Sequence, residues 1–160
     1  MHIEHGTSDI ERGSALGREG DMAIYSLRRQ VEYADTDMAG IVHFTAFFRY
    51  MESAEHAFLS SLGLVIAEPP APGRLGWPRV SCSFEFLAPL RFQDEIEVRL
   101  RIEKLGRRSV TYRADIVCGQ RIVAQGLSTS ACCRIDRRGQ LKAVVLPPAI
   151  QRKLAAAMRA

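Results

Sequence analysis

The chain has 160 residues, of which 47% are hydrophobic and 25% charged, with a net charge of +4. That is enough for one domain with a sizeable core, and the composition is that of neither a disordered nor a membrane protein. No apolar run approaches the roughly 18 residues of a spanning helix, and residues 1–21 lack the apolar stretch of a secretory signal, so a cytoplasmic protein without membrane insertion is expected. The four cysteines, Cys82, Cys118, Cys132 and Cys133, show no C-x-x-C spacing; buried free thiols are expected, with neither a zinc site nor a disulfide framework. The positive charge comes from arginines spread along the chain without a nucleic-acid motif, so an anionic small molecule such as a phosphorylated carrier suits it better than nucleic acid.

Residues 1–22 carry glycines and charges with few large apolar groups and read as a flexible tail or a lightly docked arm. From residue 24 the alternation of Tyr25, Leu27, Val31 and Tyr33, interrupted by Arg29, predicts a half-buried strand. Ala34 to Gly40 is a turn by composition. Thr45 is the expected N-cap of a long helix in which Phe47, Tyr50, Met51, Ala54, Phe58 and Leu62 recur at helical spacing, and Gly63 stops it. A stripe this broad implies a helix covered on more than one side, as when a sheet curls around it. Residues 64–78, rich in Pro, Gly and Ala, form a loop of the kind that borders active sites. Alternation then predicts strands over 80–86, 95–103, 110–116 and 122–135, joined by short turns in an antiparallel meander. A short helix with a narrow apolar edge, which could equally fray, follows Pro147-Pro148. The expected fold class is therefore α+β, with one helix packed on one face of a sheet over 23–146 and the final helix in 147–160.

The run Tyr33-Ala34-Asp35-Thr36-Asp37-Met38-Ala39-Gly40-Ile41-Val42, with Tyr50 and Glu52 in the helix behind it, resembles the hotdog-fold acyl-CoA thioesterases, in particular the 4-hydroxybenzoyl-CoA and Tol-Pal-associated groups. The resemblance spans about Ile24 to Ile135. It implies a hotdog fold, hydrolysis of an acyl or aroyl thioester to acid and CoA, no cofactor or metal beyond the CoA of the substrate, and a homodimer that pairs again into a homotetramer, with active sites between subunits. It makes Asp37 the catalytic carboxylate, either attacking the carbonyl to give a mixed anhydride or deprotonating a water. The thioester oxygen would be held by a backbone N–H near His43 or Phe44, where a helix start offers fixed donors to an oxyanion.

Without the motif, Asp37 would read as a turn or cap former. Asp35 is expected to brace the loop through nearby backbone N–H groups. Glu52 is the rival carboxylate, since some hotdog thioesterases carry theirs in the helix. His43 departs from the aromatic residue usual at its place; His43-Phe44 is also similar to a motif of hotdog dehydratases, so an enoyl-thioester hydratase or dehydratase is the alternative enzyme, and an acyl-CoA binding module the non-enzymatic one. Arg107, Arg108 and Ser109 sit at a strand turn similar to the basic cluster that holds CoA phosphates in the 4-hydroxybenzoyl-CoA enzyme. Together with Gly40 and Val42 of the motif and Trp77 of the loop, they complete the expected substrate-binding set.

Overall fold

The computed structural model describes residues 17–19, 22–64 and 73–159. Its main sheet has six antiparallel strands: β1 (Gly17–Glu19), β2 (Met22–Gln30), β4 (Arg79–Phe86), β5 (Glu95–Leu105), β6 (Ser109–Cys118) and β7 (Arg121–Ala131), in the spatial order β1-β2-β5-β6-β7-β4. A smaller sheet joins β3 (Leu75–Gly76), β8 (Cys133–Ile135) and β9 (Leu141–Ala143) in the order β3-β8-β9. The long helix α1 (Phe44–Ser61) lies against the main sheet, and a second helix, α2 (Pro148–Ala157), follows the small sheet. This is the α+β hotdog arrangement expected from the sequence.

The helix forms because its apolar positions fall at helical spacing, and Ala46, Phe47, Tyr50, Met51, Ala54, Phe58 and Leu59 are all buried. Val98, Leu100 and Ile102 of β5 and Val110, Tyr112, Ala114 and Ile116 of β6 meet it from the sheet, each position alternating inward as period two requires. Arg29, which breaks the apolar face of β2, stays half-buried because its guanidinium lies 5.0 Å from the centre of the Tyr50 ring and donates to Ser53 Oγ at 3.1 Å.

Five expectations change. Residues 17–19, assigned to the tail or arm, form β1 and Met22 opens β2; the rest of that expectation, over 1–16, 20 and 21, lies outside the described residues, as do 65–72 of the loop. Tyr33 leaves the buried face: it sits in a single 3-10 turn, Tyr33–Asp35, and its exposed ring meets Phe92 edge-on at 5.9 Å. The strand over 80–86 pairs with β7 rather than with the following β5, which makes it an edge. The strand expected over 122–135 divides at Cys132, whose N–H turns away to the Arg108 carbonyl at 2.7 Å, so that β8 joins the small sheet. Finally, α2 is docked through fully buried Leu154. Two of the cysteines, Cys132 and Cys133, are buried as free thiols, while Cys82 and Cys118 are half-buried. Among the described residues no helix is long and apolar enough to cross a membrane.

Candidate active site

The segment before α1 folds back on itself as a small hairpin. His43 N donates to the Asp35 carbonyl at 2.8 Å, Thr36 and Val42 bridge, and Asp37 N donates to Ile41 O at 3.0 Å. Gly40 N closes the tip on Asp37 O at 3.0 Å, and Gly40 has φ +72°, a left-handed conformation that a side chain would oppose. Asp37 Oδ1 accepts from Ala39 N at 2.8 Å, leaving the rest of an exposed carboxylate available at the tip. Val42 is buried and its N–H reaches Leu90 O at 2.8 Å, which fixes the hairpin to the core.

Asp35 braces this loop more extensively than expected. Its Oδ2 accepts from the Glu32 N–H at 3.1 Å, as a loop acid would, and from the buried Tyr50 hydroxyl at 2.8 Å; its Oδ1 takes Arg49 Nη2 at 2.8 Å. Burial opposes the charge on Asp35, yet the hydrogen bonds from Tyr50, Arg49 and Glu32 outweigh it and hold the carboxyl below the usual range. Burial, and then the hydrogen bond to Asp35, push the Tyr50 phenol up.

The helix start differs from expectation in its cap. His43, not Thr45, is the N-cap: its Nδ1 accepts from Thr45 N at 3.4 Å and lies 2.8 Å from Thr45 Oγ1. The His43 ring also rests on Phe44 at 4.5 Å between centroids. Because His43 N–H is already committed to Asp35, it is not a free donor. The Phe44 N–H has no acceptor among the described residues, and it opens the eighteen-residue α1. An N–H in that place is a ready donor to developing negative charge.

Glu52 is exposed and lies 3.7 Å from Arg79 Nη2. The buried acid of α1 is instead Glu55, only 3% exposed, whose Oε1 takes Arg79 Nη1 at 2.6 Å; the same guanidinium nitrogen also contacts the Ser128 hydroxyl. Burial alone would lower the Arg79 pKa, but the bond to Glu55 and its charge raise it. Sequence reading assigned no role to Glu55 or Arg79. One signal was present: Glu55 lies four residues after Met51 and three before Phe58, within the apolar stripe.

The basic turn stands apart from Asp37. Gly106 N bonds to Ser109 O, while the Arg107 and Arg108 carbonyls accept from Leu146 and Cys132, leaving both arginine side chains exposed. This turn opens β6, whose other end, Cys118, pairs with Ile96 beside Arg29 and the chain leading into Asp35. Ten residues of strand, roughly 30 Å, therefore separate the basic turn from the Asp37 hairpin within one chain. Trp77 is half-buried near the C-terminal half of α1, also away from Asp37. The structure thus brings together Asp37, Gly40, Val42, His43 and Phe44, and leaves Glu52, Trp77, Arg107, Arg108 and Ser109 elsewhere. Among the described residues no group of three or more His, Cys, Asp or Glu is placed to hold a metal ion.

Known proteins match this frame. The 1,4-dihydroxy-2-naphthoyl-CoA hydrolase of Prochlorococcus marinus (strain MIT 9303) is 32% identical over 108 residues, spanning 63% of this chain and 72% of that protein. A 1,4-dihydroxy-2-naphthoyl-CoA thioesterase from Synechocystis has a crystal structure similar at a TM-score of 0.74 and 27% identity, covering 82% of this chain and 96% of that one. The structure of a gentisyl-coenzyme A thioesterase gives a TM-score of 0.68 at 25% identity, over 79% and 98% of the two chains. The family model for the thioesterase-like superfamily matches residues 31–154, from the end of β2 into α2, and the chain belongs to that superfamily.

Proposed function

We propose that the chain is an acyl-CoA thioesterase that hydrolyses an acyl or aroyl thioester at the Asp37 hairpin. The observation that carries this reading is the Phe44 N–H at the head of α1, without an acceptor among the described residues and set beside a hairpin that presents the Asp37 carboxylate to solvent. The thioester carbonyl oxygen accepts from Phe44 N–H, which stabilises the oxyanion as the carbonyl carbon becomes tetrahedral; one such donor is worth roughly 3–4 kcal/mol in other enzymes. Asp37 either takes a proton from the attacking water or attacks the carbon itself to give an anhydride that water then opens. In both routes the CoA thiolate leaves and takes up a proton, so that one water is consumed and one acid and one thiol are released. No metal or redox group is required by this chemistry, and CoA belongs to the substrate.

The active unit in this reading is a homodimer, itself paired into a homotetramer, acting in the cytoplasm. β4 is an edge strand with Val80, Phe86 and the adjoining Leu87 exposed, and an open edge of this kind invites pairing with a second copy. Antiparallel pairing across β4 places the Arg79 end of one chain beside the Phe86 end of the other. That brings the Arg107-Arg108 turn of each subunit toward the helix start of its neighbour, where the CoA phosphates of a bound thioester would lie. The test is free-thiol release from short, medium, long-chain and aromatic acyl-CoAs, with saturable release from at least one expected. Release from none, with hydration of an enoyl-CoA, would replace hydrolysis by the hydratase reading.

A further inference from the structure

The start of α1 offers fewer free donors than a bare helix end would. His43 N–H goes to the Asp35 carbonyl at 2.8 Å, Thr45 N–H to His43 Nδ1 at 3.4 Å, and Ala46 N–H to the His43 carbonyl at 2.9 Å. From His43 to Ala46, only the Phe44 N–H is left without an acceptor among the described residues. Tetrahedral intermediates of acyl transfer are held by sets of such donors, drawn from backbone and side chains alike. A second donor here has to come from a side chain.

The capping geometry of His43 supplies one. Its Nδ1 accepts the Thr45 N–H and lies 2.8 Å from the Thr45 hydroxyl, which can donate to the same nitrogen. A ring that accepts at Nδ1 carries its proton, when neutral, on Nε2. That nitrogen has no partner among the described residues, and His43 is exposed. The ring is also held from the side, because Phe44 lies against it at 4.5 Å between centroids with the planes tilted by 38°. The hairpin turns it the same way as the carboxylate. Thr36 pairs with Val42, which is buried, so alternation sends Asp37, Ile41 and His43 to the opposite, outer face. Asp37 faces Ile41 across the hairpin, and His43 is then its diagonal neighbour, about 7–8 Å away.

We propose that His43 is a catalytic residue whose neutral imidazole donates Nε2–H to the thioester oxygen, as the second oxyanion donor beside Phe44 N–H. This role rests on the thioesterase reading of the Asp37 hairpin. No proton leaves the ring: the hydrogen bond tightens while the carbonyl carbon is tetrahedral and relaxes as the C=O re-forms and the thiolate departs. A neutral imidazole polarises a substrate carbonyl in this way in other enzymes. With Nδ1 occupied and Nε2 protonated, the neutral ring has no lone pair free to take a proton from water, so attack on the carbon stays with Asp37.

His43→Asn is the discriminating variant, because asparagine is a good helix cap while its shorter amide does not reach the place of Nε2. In the intact protein, kcat for the best acyl-CoA should fall at least about tenfold in His43→Asn, with KM within about twofold of wild type and the unfolding midpoint unchanged. A kcat within about threefold of wild type, or a raised KM at unchanged kcat, would overturn the proposal. The tautomer is read independently of turnover, from proton–nitrogen correlation spectra of the His43 ring. A bare Nδ1 and a protonated Nε2 are expected, and a neutral ring protonated on Nδ1 would overturn the donor role. Absence of thiol release from every acyl-CoA by the wild-type protein, with the ring in the expected tautomer, would instead remove the thioesterase reading.

Discussion

Replacing Asp35 tests how the hairpin is held. Asp35→Ala removes three hydrogen bonds: one from Tyr50, fully buried, one from Arg49, whose side chain is 55% exposed, and one from the Glu32 N–H. The buried bond to a charged acceptor is worth about 1.5–3 kcal/mol and the backbone bond about 0.5–1.5 kcal/mol. The half-exposed ion pair adds no more than about 1 kcal/mol after solvent screening. The expected loss is about 2–5 kcal/mol, read from urea unfolding midpoints at constant slope. Asp35→Asn, which keeps an acceptor, should lose about half of that. The folded pKa of Asp35 is depressed, so its contribution is complete above the unfolded-state value near 3.9 and disappears as pH falls through the folded value. The difference between wild type and Asp35→Asn should accordingly be flat from pH 6 to 8 and narrow below about pH 4. A loss under about 1 kcal/mol for Asp35→Ala, or a gap that widens in acid, would refute the bracing role.

Other substitutions probe neighbouring parts of the frame. Gly126→Ala drives a Cβ into the Phe84 ring and should cost about 1–3 kcal/mol in thermal unfolding, much of it recovered when Phe84→Ala is added. Arg79→Leu strands buried Glu55 and should cost about 3 kcal/mol or more, whereas Arg79→Leu with Glu55→Leu should cost clearly less in the same unfolding assay. His43→Ala should lose about 0.5–1 kcal/mol of stability as a cap and His43→Asn almost none, so that any fall in kcat shared by both variants reports chemistry rather than capping. Arg107→Ala with Arg108→Ala should raise KM for acyl-CoA well beyond KM for a truncated thioester lacking the nucleotide, and equal effects on the two would sink the phosphate assignment.

The elements that could be read from sequence are those whose periodicity is local. The strict alternation of Ile96, Val98, Leu100 and Ile102, and the helical recurrence from Phe47 to Phe58, needed no partner to be visible. Gly40 was legible for the same reason, because its turn forms within four residues. What was hidden depends on tertiary pairing. β4 reads as the neighbour of β5 until its true partner, β7, is known. Alternation continues through Cys132 although the chain changes sheet there, because the switch is made by one backbone bond to Arg108. At the site, the motif identified the hairpin and the helix start, but histidine is an unusual cap, and which N–H is free depends on where the Asp35 carbonyl points. Glu55 was given no role because an acid in a helix ordinarily faces water, as Glu52 does; here Arg79, twenty-four residues away, meets it inside.

The central claim is that the Asp37 carboxylate, at the head of α1, carries the hydrolysis. Its most direct test is kcat/KM for the best acyl-CoA in Asp37→Asn and, separately, in Glu52→Gln, each shown to unfold with wild-type stability. The account predicts a fall of about a thousandfold or more in Asp37→Asn and less than about tenfold in Glu52→Gln. Near-wild-type turnover in Asp37→Asn, with the large loss in Glu52→Gln, would contradict it and move the reacting carboxylate onto the helix.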